Sequence, residues 1–249
     1  MIEARLRQTA TLLPDGKVLV AGGEDRNDKQ SETASAELYD PSNGSWTATG
    51  KMSGARAGHT ATLLPDGKVL VAGGYRMGES LVSAELYDPG SGSWTVTGNM
   101  AGTQVAQSAA TQTATLLPDG NVLVAGSTRT DDALPIFAAE LYDPGSGSWT
   151  FTGPMDGIRY LQTATLLPNG TVLVAGGGTS LSTPDRPVNS AELYDPRTRS
   201  WAAAGNTITP HVGHTATLLL DGRVLVAGGN EPRAIASAST ELYDPGVGN

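Results

Sequence analysis

The side chains in this 249-residue chain best suited to chemistry are few and regularly placed. Its only histidines are His59, His211 and His214, and it has no cysteine. Arg5, Arg56, Ala109, Arg159 and His211 each stand three residues before Gln8, His59, Gln112, Gln162 and His214. A guanidinium donates two parallel hydrogen bonds to a carboxylate or phosphate. Three arginines and the histidines gathered at one opening would therefore attract an anion, with Tyr160 beside them as a further contact. The competing reading pairs each arginine with a recurring glutamate (Glu37, Glu85, Glu140, Glu192, Glu241) as an internal brace.

Catalytic and metal chemistry are less well served. His211 or His214 with a loop carboxylate would make a general acid–base pair, but no spacing singles one out, so no catalytic residue is assigned. His211 and His214 stand at i, i+3, a zinc spacing that suits a helix, whereas Gly213 and an apolar run predict a strand here. No metal or other cofactor is assigned. The acidic groups Glu24, Asp25 and Asp28, and Asp131 and Asp132, lack the alternating oxygen spacing of a calcium loop. Without cysteine there are no disulfides, thiol nucleophiles, iron–sulfur clusters or cysteine zinc sites.

What positions these residues follows from composition and repetition. Gly 32 and Pro 15 are about 19% of the chain, against about 12% ordinarily. That excess predicts many turns and few long helices, while 39% hydrophobic residues suffice for a core. A net charge of −9 argues against nucleic acid as a partner. No apolar run is long enough for a membrane span. No apolar signal core follows Met1; a secreted or cell-surface setting would require a signal peptide in a longer protein.

The string Thr-Ala-Thr-Leu-Leu begins at Thr9, Thr60, Thr113, Thr163 and Thr215, with an Asp-Gly or Asn-Gly pair after each copy. Val-Leu-Val-Ala-Gly follows from Val18, Val69, Val122, Val172 and Val224, then a variable stretch, then Glu-Leu-Tyr-Asp-Pro around Tyr39, Tyr87, Tyr142, Tyr194 and Tyr243. Four copies continue to Trp46, Trp94, Trp149 and Trp201. Each unit, approximately 1–50, 51–98, 99–153, 154–205 and 206–249, reads as four short antiparallel strands, the last unit without its outer one. Such a sheet cannot bury both faces alone, so neighbours must stack. The prediction is an all-β chain, a single domain over 1–249 with five blades.

The di-glycines at Gly22-Gly23, Gly73-Gly74, Gly176-Gly177 and Gly228-Gly229, followed by the Tyr and then the Trp, resemble the kelch repeat. The wording of the tandem copies is similar to bacterial kelch-like propellers, a family that includes the galactose-oxidase type of central domain. Blade three departs, with Ser127 after Gly126. The resemblance implies a β-propeller with strand one innermost, and usually six or seven blades; a self-contained five-bladed ring and part of a larger ring both fit. A copper radical oxidase is excluded, because its Cys–Tyr cofactor has no cysteine here. The Asp88–Trp94 turn puts Trp one residue too far from Asp for a sialidase Asp-box.

Antiparallel alternation puts the two-to-three and four-to-one connections on one face, and these are the connections that vary. Scaffold repeats while a ligand site breaks symmetry, so this face is the candidate site. The set drawn to it is Arg5, Arg56, His59, Arg159, Tyr160, His211 and His214. Its loop aromatics are Tyr75, Phe137 and Tyr160. The function expected is a non-catalytic binding propeller holding a protein or anionic glycan. A propeller hydrolase or isomerase, or a non-catalytic part of a larger carbohydrate-active enzyme, is the alternative. The outer edge of the last strand in blade five is a place for strand pairing.

Overall fold

A computed structural model describes residues 1–25, 32–101, 112–131, 134–157, 159–179, 187–231 and 235–246, with backbone alone at 127–131, 134–138 and 231. Ala109, Asp28 and Asp132 lie outside the described residues, as do the side chains of Asp131 and Phe137. Among the described residues no helix is long and apolar enough to cross a membrane.

The repeats become five antiparallel sheets. The first holds β1 (Thr9–Leu12), β2 (Val18–Ala21), β3 (Ala36–Asp40) and β4 (Ser45–Ala48) in sequence order. The second holds β5 (Thr60–Leu63), β6 (Val69–Ala72), β9 (Ala84–Asp88) and β10 (Ser93–Val96), with β7 (Tyr75–Arg76) and β8 (Glu79–Ser80) forming a separate small hairpin. The third is β11 (Thr113–Leu116), β12 (Val122–Asp131), β13 (Leu134–Asp143) and β14 (Ser148–Phe151). The fourth is β15 (Thr163–Leu166), β16 (Val172–Ala175), β17 (Ser190–Asp195) and β18 (Ser200–Asn206). The fifth has three strands, β19 (Thr215–Leu218), β20 (Val224–Ala227) and β23 (Thr240–Tyr243), beside a hairpin of β21 (Asn230–Glu231) and β22 (Ile235–Ala236).

Register recurs with sequence. Thr9 faces Ala21 and Leu12 faces Val18, as Thr60 faces Ala72 and Leu63 faces Val69. The Pro-Asp-Gly turn between the first two strands is closed by the Leu13 amide on the Lys17 carbonyl (2.8 Å), and Gly16 supplies the φ of +86° it needs. Blade three differs as its sequence foretells, and by more than a loosened turn. With Ser127 in place of the second glycine, β12 runs straight on to Asp131 and β13 returns from Leu134. The stretch 127–137, expected as a loop, is largely strand.

By its contacts the chain divides into two compact units, Met1–Ala110 with Tyr142–Thr150, and Thr111–Leu141 with Phe151–Asn249. In the first, the leucine face of one sheet (Leu13, Leu19) packs on the valine face of the next (Val69, Val71, Tyr87), with Met52 between. In the second, Leu117, Leu123 and Leu141 pack on Val172, Val174 and Tyr194 around Met155, and Leu173 and Ala191 on Val224. Tyr87, Tyr142 and Tyr194 are fully buried, while Tyr39 and Tyr243 are partly exposed. The tryptophans are only half-buried, because each lies on an outer strand with one face open. Each packs on its own sheet's tyrosine, with ring centroids 5.0–5.1 Å apart. Trp94 and Trp149 also donate Nε1 to the Gly50 and Gly98 carbonyls of the preceding repeat, both at 2.8 Å.

Candidate functional site

The arginine series is a set of internal braces. Arg56 is 1% exposed and reaches the Gly73 carbonyl (3.1 Å), the Ser83 carbonyl (2.8 Å), the Ser83 hydroxyl (3.1 Å) and Glu85 (3.0 Å). Arg5 repeats this on Gly22, Ser35 and Glu37, and Arg159 on Gly176, Ser190 and Glu192. His211 takes the same place in blade five, its Nδ1 2.8 Å from the Gly228 carbonyl and Nε2 3.2 Å from Glu241. Each glutamate also accepts amides from the incoming segment: Ser53 on Glu85 (2.7 Å), Asp156 on Glu192 (2.8 Å), Ile208 on Glu241 (2.6 Å). Burial works against the charge on Glu37, but the Ile2 amide, Arg5 and the Glu3 amide together hold its carboxyl below the usual range.

The brace also ties neighbouring repeats. The Arg56 carbonyl accepts the Gly23 amide (2.9 Å), and the His211 carbonyl accepts that of Gly177 (2.8 Å). Three residues on, His59 Nε2 lies 2.9 Å from the Thr9 hydroxyl and His214 Nε2 2.9 Å from that of Thr163. Gln162 holds the equivalent place through its amide on the Ala125 carbonyl (3.1 Å). These rings, with the neighbouring backbone carbonyls of Arg56 and His211, leave no room for a side chain at the first glycine of two of the pairs. A Cβ on Gly22 would lie 2.6 Å from His59 Cε1, and one on Gly176 would lie 2.8 Å from His214 Cε1. Burial, with Arg56 adding to it, drives the His59 pKa down to about 3; burial and His211 drive that of His214 down to about 4. Both imidazoles are neutral at pH 7.

All seven residues predicted for the site are thus buried, none more than 8% exposed. The structure keeps Arg5, Arg56 and His59 within the first unit and Arg159, Tyr160, His211 and His214 within the second. Their donors face the blades' own carbonyls, glutamates and threonines. The His211–His214 pair is committed in the same way, and no group of three or more metal-ligating side chains occurs among the described residues.

The variable connections meet over this frame. In every blade where both are described, a reciprocal pair of backbone hydrogen bonds joins them: Leu6 with Glu24, Ala57 with Tyr75, Tyr160 with Gly178, Val212 with Asn230. The second glycine then closes each two-to-three loop, its carbonyl accepting the amide of Thr33, Leu81, Val188 or Ser237 at 2.8–2.9 Å. What the sequence reading missed is a cluster over the first unit. Arg7 donates to the Tyr75 hydroxyl (2.5 Å), lies 3.5 Å from Glu24, and sits 5.7 Å from the Tyr75 ring centroid. The Tyr75 hydroxyl in turn donates to Glu24 (2.7 Å). One signal was available: Arg7 occupies the left-handed position (φ +56°) that Gly58 and Gly213 hold in other copies, and Leu161 does the same at +55°. Beside this cluster Leu6 is exposed, and Met77, at the tip of the β7–β8 hairpin, is 63% exposed.

Five repeated antiparallel sheets, with constant one-to-two and three-to-four turns and variable connections between, are the pattern of a β-propeller of about five blades. The chain belongs to the kelch family, whose motif matches residues 5–53, 55–101 and 160–206. Blade three, with its altered di-glycine, and blade five, with three strands, lie outside those matches. Among solved structures the chain is similar to YjhT, at 14% identity and a TM-score of 0.71, over 96% of this chain and 81% of that one. No curated protein matches it. The fold is consistent with a binding or interaction role.

Proposed function

We propose that this is a non-catalytic binding propeller whose ligand sits on the variable-loop face, over the buried frame of arginines and histidines. The observation that carries this is the division of labour between the two residue sets. Arg5, Arg56, Arg159 and His211 are buried and spent on the same glycine and glutamate partners in their blades, whereas the side chains that differ from blade to blade and are open to solvent on this face belong to the connecting loops. In the first unit these include Leu6, Arg7 and Met77, with Tyr75 partly buried among them. Arg, Tyr and Met are the types enriched where proteins meet, and apolar Leu6 and Met77 beside a half-exposed cation favour a protein segment over an anionic glycan.

A peptide and glycan array probed with wild type and with an Arg7→Ala/Tyr75→Ala/Met77→Ala variant tests this. The expected result is loss of the wild-type signals with little change in melting temperature. Survival of every signal would place the ligand elsewhere. An Arg56→Ala/Arg159→Ala variant should lower the melting temperature, and it would restore the buried set as the contact site only if it lost binding while melting like wild type.

A further inference from the structure

We infer that the turn between β17 and β18, from the third to the fourth strand of blade four, holds a second ligand site, one that takes a small hydroxy- or amino-carboxylate. Turns of this kind are otherwise nearly constant. Asp40, Asp88 and Asp143 lead through Pro and small residues to Gly44, Gly92 and Gly147, and each turn carries one net negative charge. In blade four the turn reads Asp195-Pro196-Arg197-Thr198-Arg199, with one net positive charge. Arg199 stands at φ +55°, where those three glycines stand at +67° to +70°. A long side chain held in that region is strained, and such strain gathers at functional positions. Packing does not ask for it. Arg199 is exposed, and among the described residues no hydrogen bond or ion pair engages its guanidinium.

The turn borders a cavity of about 360 Å³, at the small end of the ~300–1,000 Å³ typical of ligand sites. Pro118 and Pro196 give it apolar walls, and Asp119, Asn169 and Arg197 give it polar groups. Asn169 is a further departure, since Asp15, Asp66, Asp119 and Asp221 hold its place in the other copies. Its Oδ1 accepts from the Thr171 amide (3.0 Å) and hydroxyl (2.7 Å), which leaves Nδ2 to donate. Arg197 spends Nε and Nη2 on Asp195, both at 3.1 Å, and keeps Nη1. Those two donors suit a carboxylate, and the uncommitted Arg199 guanidinium is two residues away on the same turn. Asp119 supplies the opposite sign. Its oxygens each accept once from Asn121 (3.0 and 2.9 Å) and keep a lone pair for a ligand hydroxyl or ammonium, while its charge repels a phosphate dianion. The packing behind the turn is altered too. The Tyr87 and Tyr142 hydroxyls lie 2.8 and 2.9 Å from those of Thr49 and Thr97, but the buried Tyr194 hydroxyl, within the field of Arg199, Asp119 and Asp195, has no hydrogen bond. This site is separate from the loop-face reading, since it uses the short turns of the second unit.

The probes are phenyllactate, phenylalanine, 3-phenylpropionate and phenyl phosphate, each titrated into the whole isotope-labelled chain and followed by heteronuclear NMR. They share a ring to lie between the prolines and differ in the head group. Phenyllactate or phenylalanine should saturate, with shifts centred on Asn169, Arg197 and Arg199, and should bind at least tenfold more tightly than the other two. The tighter of the pair tells whether Asp119 meets a hydroxyl or an ammonium. Arg197→Gly/Arg199→Gly restores the glycines of blades two and three, so it should weaken binding at least tenfold while melting no lower than wild type. If it does melt lower, Asp119→Asn, which copies Asn169, carries the test by removing the advantage over 3-phenylpropionate. The loop variant Arg7→Ala/Tyr75→Ala/Met77→Ala should bind the probes as wild type does. No saturation by phenyllactate or phenylalanine at tens of millimolar, tightest binding by phenyl phosphate, or unchanged affinity in the double glycine variant would each overturn the proposal.

Discussion

Replacing Arg56 by Ala should destabilise the chain by about 3–5 kcal/mol, the range for breaking one side of a buried ion pair. The size follows from what is left behind. Four hydrogen bonds from the guanidinium disappear, one of them to a carboxylate, and Glu85 stays buried with the Ser53 and Gly54 amides to hold its charge. For a chain of this length that is a fall in melting temperature of about 6–20 °C. The fifth blade supplies the control: His211 does the same task through the Gly228 carbonyl, Glu241 and the Thr209 hydroxyl, and since Gly54 stands where Thr209 does, a histidine at 56 keeps two contacts where Arg56 makes four. Arg56→His should therefore recover about half of the loss. Thermal melts followed by circular dichroism, at matched protein concentration, measure both. A melting temperature for Arg56→Ala within about 2 °C of wild type, or an Arg56→His as damaging as the alanine, would refute the bracing argument.

Leu161 and Arg199 (φ +55°) sit in left-handed positions that other copies give to glycine, so Leu161→Gly and Arg199→Gly should each raise stability by about 1 kcal/mol; a lowered melting temperature in both would show that the strain is offset locally. Because the folded pKa values of His59 and His214 are depressed, their contribution is intact above pH about 6.5 and falls as pH drops toward 4 and 3, by at most about 1.4 kcal/mol per unit for each histidine. His59→Gln, which copies Gln162, should flatten that slope in urea melts between pH 7 and 4, and an unchanged slope would remove His59 from the account. Trp94→Ala gives up a half-buried ring stacked on Tyr87 and its bond to Gly50, and should cost about 3 kcal/mol in the same melts; a near-neutral result would mean that the outer strand holds without it.

The scaffold was legible because it repeats. Strand limits and the turn glycines could be read from five aligned copies, and so could the pairing of Arg56 with Glu85, one of two readings open for the arginines; the stacking of each Trp on the Tyr of its own sheet was not read. The site was less legible for the same reason. Repetition marked Arg5, Arg56, Arg159 and His211 as noticeable, and noticeable residues in a repeat protein are those the packing requires. Tyr160 looked like a loop aromatic, yet it fills the place of Leu6, Ala57 and Val212 and is buried there. Arg7 carried no pattern except a broken one, a long side chain where two sister copies have glycine. The small hairpins β7–β8 and β21–β22 were hidden too, since two-residue strands leave no periodicity to find. The straight course of β12 past Ser127 was signalled by a single missing glycine, whose positive φ turns the chain elsewhere.

The bond that closes the two-to-three loop at the second glycine makes four of the blades, all but the third, sockets for an interchangeable cassette. Thr33, Leu81, Val188 and Ser237 all return to the same carbonyl although the lengths between differ, so the frame does not register what the loop contains. Closure entropy grows only logarithmically, about 0.6 kcal/mol for each doubling of a flexible loop. Segments could thus be lengthened, shortened or exchanged between blades at a cost well below that of one lost brace. Recognition in such a molecule can diverge one cassette at a time, with the fold as a bystander.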